Sequence, residues 1–308
     1  MSRLLLGGLL ICLAADGGSA TQTPAPSPQA PIVLLDVGVE STNGTPVTKL
    51  TAADFELRVD SVPRPISSFS TEHRPLVLAM LVDVSTSMGT LPLAEDDRYR
   101  RMFESAIREL QTGDRAALGR VSIKPSLTSG ISGDPTALLT QVSEVLMVPD
   151  VERFGPSPLW DSLISAIDLI AAEPGSRAVI VWTDGRSTGN RFGMADASDR
   201  AGAGGVSVHV LVEHFPAMTS RLKSSQDPCA AVVSIVTATG GSCLVNRQNS
   251  PETGPPIRQA RRVVNALHHR YVIGFQRDAK DGQGQALDIR VKQPGLIVRA
   301  ARQYRPGH

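Results

Sequence analysis

The chain has no surplus of either charge: lysine and arginine number 31 against 30 acids, a formal net charge of +1. No broad field therefore draws it to nucleic acid or to an anionic membrane, and a partner has to be recognised locally. Long apolar runs are missing too. Residues 4–15 form an apolar stretch, but it falls short of the roughly 20 residues that a spanning helix needs. Neither H-E-x-x-H nor G-x-x-x-x-G-K-[ST] occurs, which removes the short-motif argument for a zinc protease or a nucleotide-binding loop. Cysteine is scarce, at Cys12, Cys229 and Cys243.

The first of these cysteines sits in a processing segment. Residues 1–20 read as an export signal, with Arg3 as its positive end, 4–15 as its apolar stretch, and Gly18 and Ala20 as the small residues before a cut. A lipoprotein signal ending at Cys12 is the competing reading, although Ile11 stands where such signals want a small residue. Cleavage delivers a secreted, periplasmic or cell-surface protein and removes Cys12. Cys229 and Cys243 then remain, either as a disulfide in an oxidising compartment or as two buried thiols.

What is present is ordinary globular material, 41% hydrophobic and 20% charged, in a chain long enough for one large domain or two. Residues 21–31 hold four prolines and no large apolar residue, and read as an extended linker. Residues 32–72 carry short strand-like runs at 32–39, 47–50, 55–59 and 66–69, with Asn43-Gly44 as a hairpin turn. Residues 73–256 alternate strands (76–82, 116–123, 126–131, 178–183, 206–212, 242–245) with helices (99–110, 135–146, 158–172, 194–203, 228–238). The last part, 257–308, opens with a helix marked by Ile257, Ala260, Val264 and Leu267, and returns to strands at 271–276, 286–291 and 296–302. The expectation is an α/β fold: a doubly wound, mostly parallel sheet with a small accessory β unit from the two end segments, which either stand apart or pack together.

The centre of this arrangement is 76–88, LVLAMLVDVSTSM. Seven apolar residues have the bulk of a strand buried on both faces, and the run stops at Asp83. Asp83, Ser85 and Ser87 then offer one carboxylate and two hydroxyls at alternate positions, an all-oxygen set that suits a hard cation such as magnesium. The strand 178–183 also stops at an acid, Asp184. With strands numbered from 76, these are the first and fourth, which are neighbours in the order 3-2-1-4-5-6. Their carboxyl ends flank the switch point where such sheets bind ligands. Ser157 before Pro158 reads either as a helix cap or as another ligand, and Asp161 as a favourable charge near a helix N-terminus. His209 and His214 read as structural or exposed, and His268-His269 as a helix end that needs no metal. Arg98, Arg100 and Arg101 beside Asp96, Asp97 and Glu104 read as a solvated helix end.

The D-x-S-x-S of Asp83, Ser85 and Ser87 after its apolar strand resembles the first segment of the metal-ion-dependent adhesion site (MIDAS) of von Willebrand factor A domains, whose sheet is Rossmann-like. Ser157 falls where that family has a third segment, usually with Thr, and keeps the hydroxyl. Residues 44–55 and 271–304 are similar to the flanks of secreted bacterial VWFA-related proteins, a group prominent in acidobacteria. The resemblance implies that Mg²⁺, or Mn²⁺ or Ca²⁺, is held directly by hydroxyls such as those of Ser85 and Ser87 and partly through water by the acids. It implies a metal site of Asp83, Ser85, Ser87, Ser157 and Asp184, and capture of an Asp or Glu carboxylate from a protein partner. That is binding, not catalysis. The alternatives are a structural cell-envelope module with a non-functional site, or a metal-assisted hydrolase, for which no general base stands out.

Overall fold

The computed structural model describes residues 31–89, 97–123, 126–127, 130–214, 227–247, 256–278 and 284–304. The export signal, Cys12, Asp96 and all of the linker but Pro31 lie outside these residues, as do most of the turn after 277 and the side chain of His214.

In chain order, β1 (Ile32–Ser41), β2 (Phe55–Val59), β3 (Val62–Arg64) and β4 (Ser68–Ser70) precede the apolar strand β5 (Leu76–Asp83). There follow α1 (Asp97–Ile107), β6 (Arg115–Val121), β7 (Ser126–Leu127), α2 (Pro135–Leu146), α3 (Asp150–Arg153), α4 (Leu159–Ile170) and β8 (Ser176–Thr183). Next are α5 (Met194–Gly204), β9 (Val206–His214), α6 (Val233–Thr239), β10 (Cys243–Arg247) and α7 (Pro256–His268). Four strands end the chain: β11 (Arg270–Gln276), β12 (Gln285–Val291), β13 (Leu296–Arg299) and β14 (Gln303–Tyr304).

All eight residues of β5 are buried, and their alternation explains the three layers. Leu76, Leu78, Met80 and Val82 pack on one face with α1, α2 and α7. Val77, Ala79 and Leu81 pack on the other with α4, α5 and α6. A strand covered on both sides has no polar face to show, so it reads as an unbroken apolar run, and each large side chain so buried stabilises the fold by roughly 1.5–3 kcal/mol. The sheet runs β10-β9-β8-β5-β6-β7, which is the expected 3-2-1-4-5-6 when counted from β5. Its pairs are parallel except the last. There β7 folds back antiparallel on β6 and covers two residues, where the sequence suggested a strand over 126–131. A connection as short as 122–125 can make a hairpin but cannot carry a parallel crossover.

The end segments meet. β1 pairs with β11 and β13, and β11 with β4, in one antiparallel sheet; β2 pairs with β12 and β3, and β12 with β14, in a second. Val33, Leu35, Val37, Phe55, Leu57, Tyr271, Ile273, Phe275 and Leu287 fill the space between them. Of the expected runs, 47–50 forms no strand, and Asn43-Gly44 closes a tight turn supported by a single bridge, Glu40 to Pro46. β3 was hidden by Pro63, tolerated because β3 is an edge strand. Its hairpin turns on Asp60 and Ser61, both with positive φ, in place of the more familiar Asn-Gly.

The sandwich sits at the amino ends of the central strands. Asp36 of β1 accepts from Arg74 at 3.0 Å and from Ser176, the first residue of β8, at 2.9 Å. Gly240 ends α6 at φ +70°, so close to Ala300 that an added Cβ would lie 2.4 Å from its backbone. Helix α6 itself begins later than the expected 228. Residues 228–232 form a turn in which Cys229 is joined by a disulfide to Cys243 of the edge strand β10. No helix among the described residues is long and apolar enough to cross a membrane.

Candidate metal centre

The parity that builds the core also aims the site. Asp83 continues the series Val77, Ala79, Leu81 and so faces α4 rather than α1. On the neighbouring strand β8, Val179 and Val181 share that face, which places Thr183 beside Asp83. The Thr183 hydroxyl donates to Asp83 Oδ2 at 2.8 Å, and the Ser157 hydroxyl donates to the same oxygen at 3.1 Å. The backbone N–H of Ser85 donates to Oδ1 at 3.0 Å. Ser85 and Ser87 bring their hydroxyl oxygens to 3.0 Å of each other at the start of a short 3-10 turn, which Met88 anchors in the core. Tyr99 holds that turn from below: its hydroxyl donates to the Met88 carbonyl at 3.1 Å while its ring stacks on Trp182 at 4.3 Å.

Ser157 reaches Asp83 because a loop grips it. Its N–H donates to Thr188 Oγ1 at 3.0 Å and its carbonyl accepts from Thr188 N–H at 2.9 Å. Gly189, at φ +72°, lies so near Pro156 that a Cβ would come within 2.7 Å. Helix α4 starts one residue later than expected, and the Ser157 hydroxyl is spent on Asp83, not on capping the helix. Asp161 does more than favour a helix end: its carboxylate accepts the backbone N–H groups of Arg191 and Phe192 at 3.0–3.1 Å, pinning the far end of the same loop. Asp184 points into this region with its side chain 6% exposed, accepts Arg186 N–H at 3.0 Å, and lies 3.7 Å from the Arg186 guanidinium.

No protein-family model matches the chain, and no curated protein matches it. Solved structures do. A von Willebrand factor type A protein from Catenulispora acidiphila aligns over 91% of this chain and 75% of its own, at 11% identity and a TM-score of 0.46. BatB from Bacteroides thetaiotaomicron aligns over 62% of this chain and 98% of its own, at 16% identity and 0.44. The vWF domain of the type V pili tip protein Mfa5 from Porphyromonas gingivalis aligns over 64% and 95%, at 11% identity and 0.44. At such identities and TM-scores these are similarities and nothing more. The fold itself is a doubly wound, mostly parallel sheet covered by helices on both faces.

The electrostatics of the site single out Asp83. Burial raises its carboxyl above the ordinary 3.8, and the nearby Asp184 charge raises it further, against hydrogen bonds from Ser85 and Thr183 that lower it. Among the described residues no cationic side chain pairs with it. Arg186 answers the charge of Asp184 from 3.7 Å, but Asp83 itself, a fully buried carboxylate among hydroxyls, has no such counter-charge, and a small oxygen-seeking cation fits that deficit. Of the five residues expected from the sequence, Asp83, Ser85 and Ser157 are in direct hydrogen-bond contact. Ser87 joins through Ser85, and Asp184 joins through its field alone. Thr183 was missed, although counting alternate residues back along 178–183 would have found it.

Two other possibilities fall away on inspection. Residues 185–189 read G-x-S-x-G, the spacing of a hydrolase nucleophile elbow. Yet Ser187 lies on the loop before α5, its hydroxyl accepts from Leu159 N–H at 3.2 Å and from the Asn190 amide at 2.7 Å, and no described histidine bonds to it. His209 is buried between Ser242 and Ser207 at 2.9 and 3.2 Å, and desolvation, with the Arg270 and Arg299 charges, holds it well below 6.5 and neutral. The arginines of α1 are less solvated than expected, since Arg98 lies 3.6 Å from the buried Glu213 and Arg100 donates to Ser143.

Proposed function

We propose that this is an exported A-domain module of the VWFA-related type that holds Mg²⁺, with Mn²⁺ or Ca²⁺ as alternatives, on Asp83, Ser85, Ser87, Ser157 and Asp184, and engages an Asp or Glu of a protein partner there. The observation that carries this reading is the buried Asp83 carboxylate, ringed by the hydroxyls of Ser157 and Thr183 without a cationic neighbour among the described residues. When bound, the ion supplies a positive charge with coordination positions left to water, one of which a partner carboxylate can take. The chain supplies the positioning: Thr183 and Ser157 orient one oxygen of Asp83, Ser85 N–H orients the other, and Thr188 fixes Ser157. Export is supported by the disulfide, which belongs to an oxidising compartment.

Titration calorimetry tests the site. One Mg²⁺ per chain is expected for residues 21–308, and no heat for the Asp83→Ala form; equal heats from both would remove the proposal. Ser157→Ala separates a ligating hydroxyl from a merely structural one. It should weaken Mg²⁺ about tenfold, with a stability cost in chelator of about 1–3 kcal/mol for the lost hydrogen bond to a buried carboxylate.

A further inference from the structure

A second cluster lies at the other end of β5, roughly 25 Å from Asp83 for a strand of eight residues. His73 Nε2 stands 3.4 Å from Asp114 Oδ1, and His268 Nε2 stands 2.7 Å from Asp114 Oδ2. The three ligand atoms lie within 4.8 Å of one another, and the two imidazole rings meet edge to face at 5.1 Å. Asp114 is buried, and each of its oxygens is already oriented by a backbone donor, Leu76 N–H at 2.7 Å on Oδ1 and Gln111 N–H at 2.8 Å on Oδ2. His268 is therefore more than a charged helix end. It is held inside, with its side chain 4% exposed, while that of His73 is 32% exposed.

We propose that His73, Asp114 and His268 form a metal site distinct from the one at Asp83, selective for a borderline transition ion, with Zn²⁺ preferred. Two imidazole nitrogens and one carboxylate oxygen are the donor set of zinc centres that leave a fourth position to solvent, and they disfavour Mg²⁺. The backbone N–H groups on Asp114 play the part of the outer hydrogen bonds that orient metal-bound carboxylates. Tetrahedral zinc places its donors roughly 3.3 Å apart. His268 Nε2 lies 2.7 Å from Asp114 Oδ2 and His73 Nε2 3.4 Å from the other oxygen, so gathering both on one ligating oxygen takes a shift that the half-exposed His73 has room to make.

The position of the cluster gives it a consequence. The chain passes between sandwich and central sheet twice, once from β4 into β5 past His73 and once from α7 into β11 past His268. A metal held by both, and by the turn before β6, clasps the two crossings together.

The test uses full-length, tag-free protein stripped of metal and titrated in excess Mg²⁺ so that the Asp83 site is filled. Wild type and Asp83→Asn should each bind one Zn²⁺, and Co²⁺ in its place should give the visible bands of a tetrahedral site. His73→Ala, whose exposed side chain can be removed without endangering the fold, should bind Zn²⁺ at least tenfold more weakly and lose the Co²⁺ bands while its Mg²⁺ titration is unchanged. His268→Ala should behave alike where it folds. Absence of stoichiometric Zn²⁺ uptake by wild type, or equal uptake by His73→Ala, would overturn the proposal.

Discussion

Asp83→Asn is expected to weaken Mg²⁺ binding about 100-fold, because it removes the buried negative charge that the ion would offset, whether held directly or through water, and even outer partners cost 10–100-fold when lost. In the absence of metal the same variant should be more stable than wild type at neutral pH, by on the order of 1 kcal/mol. The two effects have one origin. Asp83 is fully buried, and burial is the largest influence raising its carboxyl, followed by the field of Asp184. An asparagine keeps an oxygen for Ser85 N–H and turns an amide toward Ser157 and Thr183, whose hydroxyls can accept as well as donate. The sign of the pH dependence follows. A folded-state value above 3.8 means that the native protein takes up a proton before the unfolded chain does. This group's contribution is therefore present in full below 3.8 and is lost as pH rises through the raised value. Urea unfolding in chelator should show metal-free wild type gaining stability on acidification across that window, and Asp83→Asn lacking that gain. A variant less stable than wild type in chelator at neutral pH would contradict the account.

Removing the disulfide should cost about 3 kcal/mol, the loop-closure value for a crosslink of this span. Cys229 and Cys243 are 14 positions apart, and between them lie the rest of the 228–232 turn, α6 and residues 240–242. β10 is an edge strand, paired on one side only with β9. Without the bond, the unfolded chain regains the freedom of that loop and the edge loses its tie to the turn. Against a net stability of about 5–15 kcal/mol for a folded domain, this is a large fraction. The Cys229→Ser, Cys243→Ser double variant, compared with oxidised wild type by urea unfolding, should show it. A difference under about 1 kcal/mol would mean that the covalent link constrains little. Mg²⁺ affinity should not change, since neither cysteine touches the Asp83 cluster.

The strand order was legible because two buried strands wrote themselves as apolar runs ending in acids, and the switch-point rule then put Asp83 and Asp184 on neighbouring strands. Features set by distant contacts were not. His268 looked like a favourable charge on a helix end because its partner, Asp114, is 154 positions away. The sequence reads one strand over 296–302, whereas β13 stops at Arg299 and β14 follows only at Gln303, since nothing in that stretch announces that the chain leaves β1 and pairs next with β12. Thr183 was hidden for a different reason. It stands at the edge of an apolar run, directly before a more conspicuous acid, although its parity places it on the Asp83 face.

The placement of the sandwich has a practical meaning. Both Pro31 and Tyr304 belong to or adjoin it, and it covers the amino ends of the central strands while Asp83 and Thr183 lie at their carboxyl ends. The molecule is thus polar in the geometric sense, with the first and last described residues at the base and the Asp83 cluster at the tip. Tethered through either end to a bead, a membrane or a larger chain, it would hold the Asp83 rim outward, and an immobilised sample should bind as freely as one in solution.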